Sequence, residues 1–409
     1  MKFPRHALAV AAVLAATAVP AAAQLKAEVI HWWTSGGESA AAKTLAEAYK
    51  AQGGQWVDTA IALGEQARSV AINRIAGGNP PTAAQFNTTQ QFRDIVEQGL
   101  LNNVDDVAKR DGWDKFLPET VLQAIRVNGH YYAAPVNIHN MSWFWFSKAA
   151  FKKAGIAEEP KSFDELFAAL DKLKAAGLVP LAHGGQPWQD GIVFTATLAH
   201  YGGRDLYLKV FRDRDPKAIM GEDFKKVLLA FKRLQSYTDK GSPGRNWNDA
   251  TAMLINGRAG VQIMGDWAKG EFAQAKQEAG KDYGCSFGFG PNAPYIVQGD
   301  VMVFPKTSKP DQIKAQQLLA SVITQPATQV AFSQKKGSIP IRTDVDVSKL
   351  DICAQMGVAA MKDKARQLGN GEIYITPDQN GALQDVLTSY WNRNIPVEKV
   401  QKDVLSALK

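Results

Sequence analysis

The spacing of apolar residues changes period several times along the chain, and each change marks an element. Val29-Ile30-His31-Trp32-Trp33 is a β-branched and aromatic run that stops at Gly36-Gly37. An Ala-rich stretch at helical spacing follows over about 38–50. An apolar run at 56–63 leads to a helical pattern at 66–76, closed by Gly77-Gly78-Asn79-Pro80-Pro81. A short strand pattern at 83–86 precedes a helix over 90–98, which Gly99 ends. This βαβαβ alternation predicts a mostly parallel sheet covered by helices. Asn128-Gly129, between Ile125-Arg126-Val127 and Tyr131-Tyr132, reads as a hairpin turn.

The texture changes near Ala133-Ala134-Pro135-Val136. Met141-Ser142-Trp143-Phe144-Trp145-Phe146 is a continuous apolar strand, expected to be covered on both faces. Ser162 and Glu165 have capping-box spacing at the start of a long helix. Residues 160–280 read as mainly helical, broken at Gly177, 183–189, Gly202-Gly203 and 241–244, before strands return at 259–264 and 301–304. Helices dominate from about 311 onward. Neither an internal repeat nor a low-complexity linker is present, so the expectation is two α/β lobes joined by crossing strands. The first crossing falls at about 132–136 and a further one near Ile339-Pro340-Ile341.

The first 23 residues stand apart. Lys2 and Arg5 precede an apolar, Ala-rich run from 7 to 19, and Ala21-Ala22-Ala23 fits the small-residue rule for cleavage before Gln24. The run is short for a membrane span. An exported, periplasmic protein is expected. Without residues 1–23 the chain keeps 386 of its 409 residues, enough for two cores. Loss of Lys2 and Arg5 lowers the formal charge from +7 to about +5, with no clustered basic stripe of the kind nucleic acid requires. Two cysteines, Cys285 and Cys353, would enter an oxidising compartment, where either a disulfide or two buried thiols is compatible with the sequence.

Several motifs together resemble the extracytoplasmic sugar-binding proteins of ABC importers, in the glucose/mannose-binding branch. They are His31-Trp32-Trp33-Thr34-Ser35-Gly36-Gly37-Glu38 after an export signal, Tyr132-Ala133-Ala134-Pro135-Val136, and Met264-Gly265-Asp266-Trp267-Ala268-Lys269-Gly270-Glu271. Gly299-Asp300 before Phe304-Pro305 and Lys336-Gly337-Ser338-Ile339-Pro340 complete the set. The resemblance implies a two-lobed periplasmic-binding-protein fold with the ligand cleft between the lobes. On that basis 24–134 with about 290–340 would form the N-terminal lobe, and 135–289 with about 341–409 the C-terminal lobe. It also implies a sugar ligand, inner-membrane permease subunits with their ATPase as partners, a monomer, and neither cofactor nor metal.

The residues read the same way physically. A pyranose offers an apolar C–H face and an equator of hydroxyls, so it needs a flat aromatic wall and a few convergent polar groups. Trp32, Trp33 and Trp267 can supply walls, and Glu38, Asp300 and Lys336 the polar pairing, with the last three also placed at ligand positions by the resemblance. Asn87 joins this set, and Gln85, Trp188 and Asn370 are further candidates. Each has a plainer alternative. Ser35 and Glu38 also fit a capping box; one of Trp32 and Trp33 can be pure core, since strand neighbours face opposite ways; Asp266 reads as a helix cap; Trp188 sits in a loop that faces either cleft or core.

Glu38 carries the argument on ligand charge. A helix N-terminus after a Gly-rich turn attracts anions, and a carboxylate already there favours a neutral polyol. The chain departs from the glucose-binding branch in two places. That branch tends to carry a basic residue where this sequence has Gln85-Phe86-Asn87, and a histidine in the segment matching 368–373, where none is found. Glucose itself is therefore not implied. A glycosidase would use two opposed carboxylates, for which Glu38 and Asp300 are the candidates, but no nucleophile motif accompanies them. The histidines show no metal-ligand spacing.

Overall fold

The computed structural model describes residues 24–409, so the export signal read at 1–23 lies outside the described residues. In chain order the strands are β1 (Leu25–His31), β2 (Gly54–Ala60), β3 (Ala83–Phe86), β4 (Arg126–Val127), β5 (His130–Tyr131), β6 (Ala133–Pro135) and β7 (His139–Asn140). They continue with β8 (Trp143–Ser147), β9 (Val179–Leu181), β10 (Ala259–Met264), β11 (Tyr283–Ser286), β12 (Tyr295–Gln298), β13 (Val301–Val303) and β14 (Gln367–Gly369).

The first sheet has the order β2-β1-β3-β13-β6. β1 runs parallel to β2 and β3, as the βαβαβ pattern predicts, and β13 returns antiparallel between β3 and β6. The second sheet has the order β11-β8-β10-β9. Its central strand β8 is buried at all five positions, in line with its unbroken apolar sequence. Trp143 and Trp145, two apart and so on one face, stack with ring centroids 5.5 Å apart. The hairpin at Asn128-Gly129 is present between β4 and β5, with both turn residues at positive φ.

Three short segments lead from the first sheet and its helices to the rest of the molecule. The first runs from β6 through β7 to β8. The second is Gly299-Asp300, between β12 and β13. The third follows the helix Pro326–Lys336, where Ile339 and Ile138 exchange backbone hydrogen bonds of 3.0 Å in each direction. The two lobes of the fold are thus tied by adjacent strands rather than by one flexible linker.

The region 160–280 is mainly helical, as its sequence reads, but the pattern omits short strands. β9 and β11 lie within or just beyond it, and β12 and β14 are likewise absent from the sequence pattern. All four have three or four residues, too few to establish a period of two. β12, placed by sequence with the N-terminal lobe, pairs instead with β7 and β14 in a third small sheet. Cys285 and Cys353 form a disulfide that pins β11 to the helix Ile352–Lys362.

Candidate functional site

β1 ends at His31, and the two tryptophans beyond it separate. Trp33 is 1% exposed and packs edge-on against Phe332 at 5.4 Å, so it is a core residue and not a wall of the cleft. Trp32 stays half-buried and faces the cleft, with the Arg68 guanidinium 5.5 Å above its ring. The following turn opens the helix Gly36–Ala51, and Ser35 Oγ accepts from the Glu38 N–H at 3.4 Å. The other half of the capping box is missing. The Glu38 carboxylate turns to Lys336 Nζ at 2.9 Å, and both side chains are almost wholly buried.

The anion position of that helix is filled from elsewhere. Glu271 Oε1 accepts from the Gly37 N–H at 2.8 Å, so the carboxylate at the helix mouth is Glu271 rather than Glu38. Glu38, expected there from the sequence, does not fill the position, because a partner more than two hundred residues away has no local signal. The consequence for the site is unchanged. The helix N-terminus already holds a negative charge, and Glu38 is compensated by Lys336.

Asp300 reaches the same cavity through strand register. Val301 pairs with Phe86 across β13 and β3, so Asp300 lies beside Asn87. Its Oδ1 accepts from Gln85 Nε2 and Asn87 Nδ2, each at 2.9 Å, and its Oδ2 accepts from Asn137 Nδ2 at 2.9 Å. The same Oδ2 lies 3.0 Å from His139 Nε2. His139 is buried between two carboxylates, since its Nδ1 bonds to Asp266 Oδ1. Burial opposes charge on this ring, but Asp266 and Asp300 outweigh it and raise its pKa above the ordinary value. Burial also works against charge on Asp300, yet His139, Lys336 and the Asn137 amide hold its carboxyl well below the usual range.

Asp266 is consequently not the helix cap that its sequence suggests: its second oxygen accepts from the Asn140 N–H at 3.0 Å. Gln85 is 1% exposed and does not line the cleft. It sits behind it, holding Asp300 through its amide nitrogen and the Trp32 N–H through its oxygen at 3.0 Å. Asn370 lines only a small neighbouring recess of about 30 Å³, where its Nδ2 has no hydrogen-bond partner among the described residues.

The other candidates converge. Trp32, Glu38, Asn87, Trp267, Asp300 and Lys336 line one cavity of about 310 Å³, and Trp188 joins them. Trp267 folds over Gly265, where a β-carbon would stand 2.2 Å from the indole. His139 meets its ring edge-on at 5.1 Å, and Lys336 Nζ lies 5.6 Å from its centroid. Trp188 sits 6.4 Å from Trp267 and is oriented by a 2.8 Å bond from its Nε1 to Gln186. Sequence reasoning missed Arg68, His139, Trp247 and Glu372, which share the cavity. Arg68 and Trp247 lie in ordinary helical patterns, and isolated charged or aromatic residues of that kind carry no motif.

Residues 33–329 match the family of bacterial extracellular solute-binding proteins. The chain belongs to that family. The resemblance drawn from its motifs is borne out, and it is an extracytoplasmic binding protein rather than an enzyme. A Brucella melitensis relative named "Probable sugar-binding periplasmic protein" is 40% identical over 418 residues, covering 100% of this chain and 98% of that one. Among solved structures, the bacterial solute receptor AcbH, described with an exclusive preference for β-D-galactopyranose, is similar with a TM-score of 0.79. It is 20% identical and covers 93% of this chain and 97% of the receptor. Maltose-bound MalE3 of T. maritima gives a TM-score of 0.78 at 20% identity, covering 94% and 98% of the two chains. These structural likenesses fix the two-lobed fold. The apparent glycosidase pair is accounted for as well, since Glu38 is paired with Lys336 and Asp300 is engaged by four side chains.

Proposed function

We propose that the chain captures a neutral sugar of a single ring and presents it to the inner-membrane permease of an ABC importer. Export through the cleavable signal at 1–23 and action as a monomer in the periplasm belong to the same reading. The observation that carries it is the composition of the cavity. Indoles from distant parts of the chain face a set of carboxylate, ammonium and amide groups whose charges already compensate one another. Such groups favour a ligand that donates and accepts hydrogen bonds without bringing net charge, and the indoles favour apolar C–H faces. A volume of about 310 Å³ lies at the lower end for small-molecule sites, which favours one ring over a chain of several.

Trp32, Trp188 and Trp267 are the proposed walls, and Glu38, Asn87, Asp300 and Lys336 the proposed polar contacts. Binding would begin on one lobe, and closure about the three crossings would add contacts from the other, shifting the population toward the closed form. The permease would then read a surface made by both lobes together.

The test is a titration of tryptophan emission with aldohexoses, pentoses and common disaccharides, beside amino acids and phosphate esters. A saturable change with a neutral monosaccharide is expected. A response confined to a charged solute overturns the reading, and a response confined to disaccharides overturns the single ring.

A further inference from the structure

The polar groups around Asp300 and Lys336 do not exhaust the charged chemistry of the cavity. Arg68, on the helix Gly64–Ala76, and Glu372, on the 3-10 turn Gly371–Ile373, line it too. Arg68 extends from the helix that follows β2. Glu372 is held by the other lobe. Tyr207 Oη donates to the Gly369 carbonyl just before it at 3.1 Å, and Gly371 lies against the Phe211 ring.

Both groups have unused hydrogen-bonding capacity. Among the described residues, the Arg68 guanidinium makes no hydrogen bond or ion pair; its one close partner is the Trp32 face. Five N–H donors are thus uncommitted. Glu372 Oε2 accepts from Gln91 Nε2 at 3.3 Å and Gln298 Nε2 at 3.5 Å, while its Oε1 has no partner among the described residues. The two amides set the direction of the carboxylate and leave one oxygen free. The pair does not close into a salt bridge, yet each feels the other. Burial raises the pKa of Glu372 and lowers that of Arg68, and the opposite charge of the partner counters both shifts.

An uncommitted donor array and an uncommitted acceptor, facing one cavity from two lobes, suit a group that both accepts and donates. A sugar hydroxyl, or a vicinal pair of them, is such a group. We infer that Arg68 and Glu372 form a second polar pole of the cleft, which reads hydroxyls other than those held at Asp300 and Lys336 and so selects the sugar. This rests on the sugar reading and deepens it. Selection follows because a ligand lacking the matched hydroxyl would leave a desolvated carboxylate and guanidinium unpaired on closure.

The experiment measures, by calorimetry on the full mature chain, the affinity for the best sugar of the panel and for its complete set of monodeoxy analogues. It compares the native protein, Glu372→Gln and Arg68→Gln, the second a partly exposed position that tolerates substitution if the first does not fold. Glu372→Gln is expected to weaken the parent sugar about tenfold or more. One deoxy analogue, already weakened in the native protein, should then bind native and variant alike, and Arg68→Gln should point to the same or the adjacent hydroxyl. Unchanged affinities in both variants overturn the inference and leave the sugar reading standing. Equal weakening of every analogue also overturns it, by assigning the pair to lobe closure alone. Failure of the native protein to bind any neutral sugar overturns both.

Discussion

Glu38 and Lys336 neutralise each other almost out of reach of solvent, and Lys336 also faces the Trp267 ring. Removing one member of a buried pair outright costs about 3–5 kcal/mol, because the survivor is left uncompensated. Glu38→Gln keeps the shape and one acceptor, so a smaller loss of about 1–3 kcal/mol is expected. If Glu38 also touches the ligand, sugar affinity falls in step with melting temperature, and thermal unfolding with and without sugar separates the two. A fall in stability at unchanged affinity would reduce Glu38 to a counter-ion. His139 makes the second residue-scale prediction. It faces Asp266, Asp300 and Lys336, and its pKa is raised in the folded state. Its stabilisation is therefore complete below about pH 6.5, the unfolded value, and is lost as pH rises through the folded one. Asp300 is the mirror case: with a depressed folded pKa, its contribution is complete above about pH 3.9 and is lost as pH falls through the folded value. Above about pH 6.5 melting temperature should decline as His139 loses its proton, and below it melting temperature should fall again, because burial pushes the His200 pKa down to about 3 and the unfolded chain alone takes up that proton. His139→Gln should abolish that alkaline decline, and a decline of undiminished size would refute the assignment.

Elements were legible in the sequence in proportion to their length and regularity. β3 and β10 appear where alternation and apolar runs placed them, and the helix after Ser162 starts at its cap, with Ser162 Oγ accepting from the Glu165 N–H at 3.1 Å. β9, β11, β12 and β14 were not legible, because strands of three or four residues are specified by the sheet that receives them. The site divides in the same manner. Trp32, Trp267, Asp300 and Lys336 each stand at a strand end or helix end, where Gly-rich punctuation makes them conspicuous. Arg68 instead lies inside a helix without such punctuation, and Glu372, although flanked by Gly369 and Gly371, stands in a segment where a histidine rather than a carboxylate is the family pattern. The distinction between Trp32 and Trp33 was legible only as an alternation, and Phe332, three hundred residues on, decides it. The disulfide gives the prediction that belongs to this scale. Cys285 and Cys353 are separated by 68 residues and join β11 to the helix Ile352–Lys362, away from the cavity. On the chain-entropy account, closing that loop contributes about 4 kcal/mol. Reduction should lower the melting temperature by roughly 5 °C for a chain of this size, with sugar affinity unaltered. Loss of binding at a temperature where the reduced protein is still folded would mean that the bridge positions the cleft.

Closure is a property of the whole molecule, and one contact between the lobes makes it testable. The helix Gly36–Ala51 packs on the first sheet, while the helix Ala268–Gln274 follows β10 of the second, and the two meet at Gly37 and Gly270. The approach is so close that a β-carbon on Gly37 would lie 2.6 Å from the Gly270 carbonyl carbon. The bond from the Gly37 N–H to Glu271 crosses the same seam. Gly37→Ala must therefore push the helices apart, and overpacking of this kind costs about 1–3 kcal/mol. If the seam forms only on closure, that cost falls on the closed state alone. Apparent affinity then drops by the reduced closed fraction, about 5- to 150-fold, although no ligand contact has been touched. Small-angle scattering should show a larger radius of gyration than the native protein at limiting sugar and convergence with it at saturation. Glu271→Gln, which removes the charge at the helix N-terminus without adding volume, should act in the same direction and more weakly. If instead the seam persists in the open molecule, Gly37→Ala lowers the melting temperature while affinity and scattering stay native, and the pivot of closure lies at the Gly37–Gly270 contact itself.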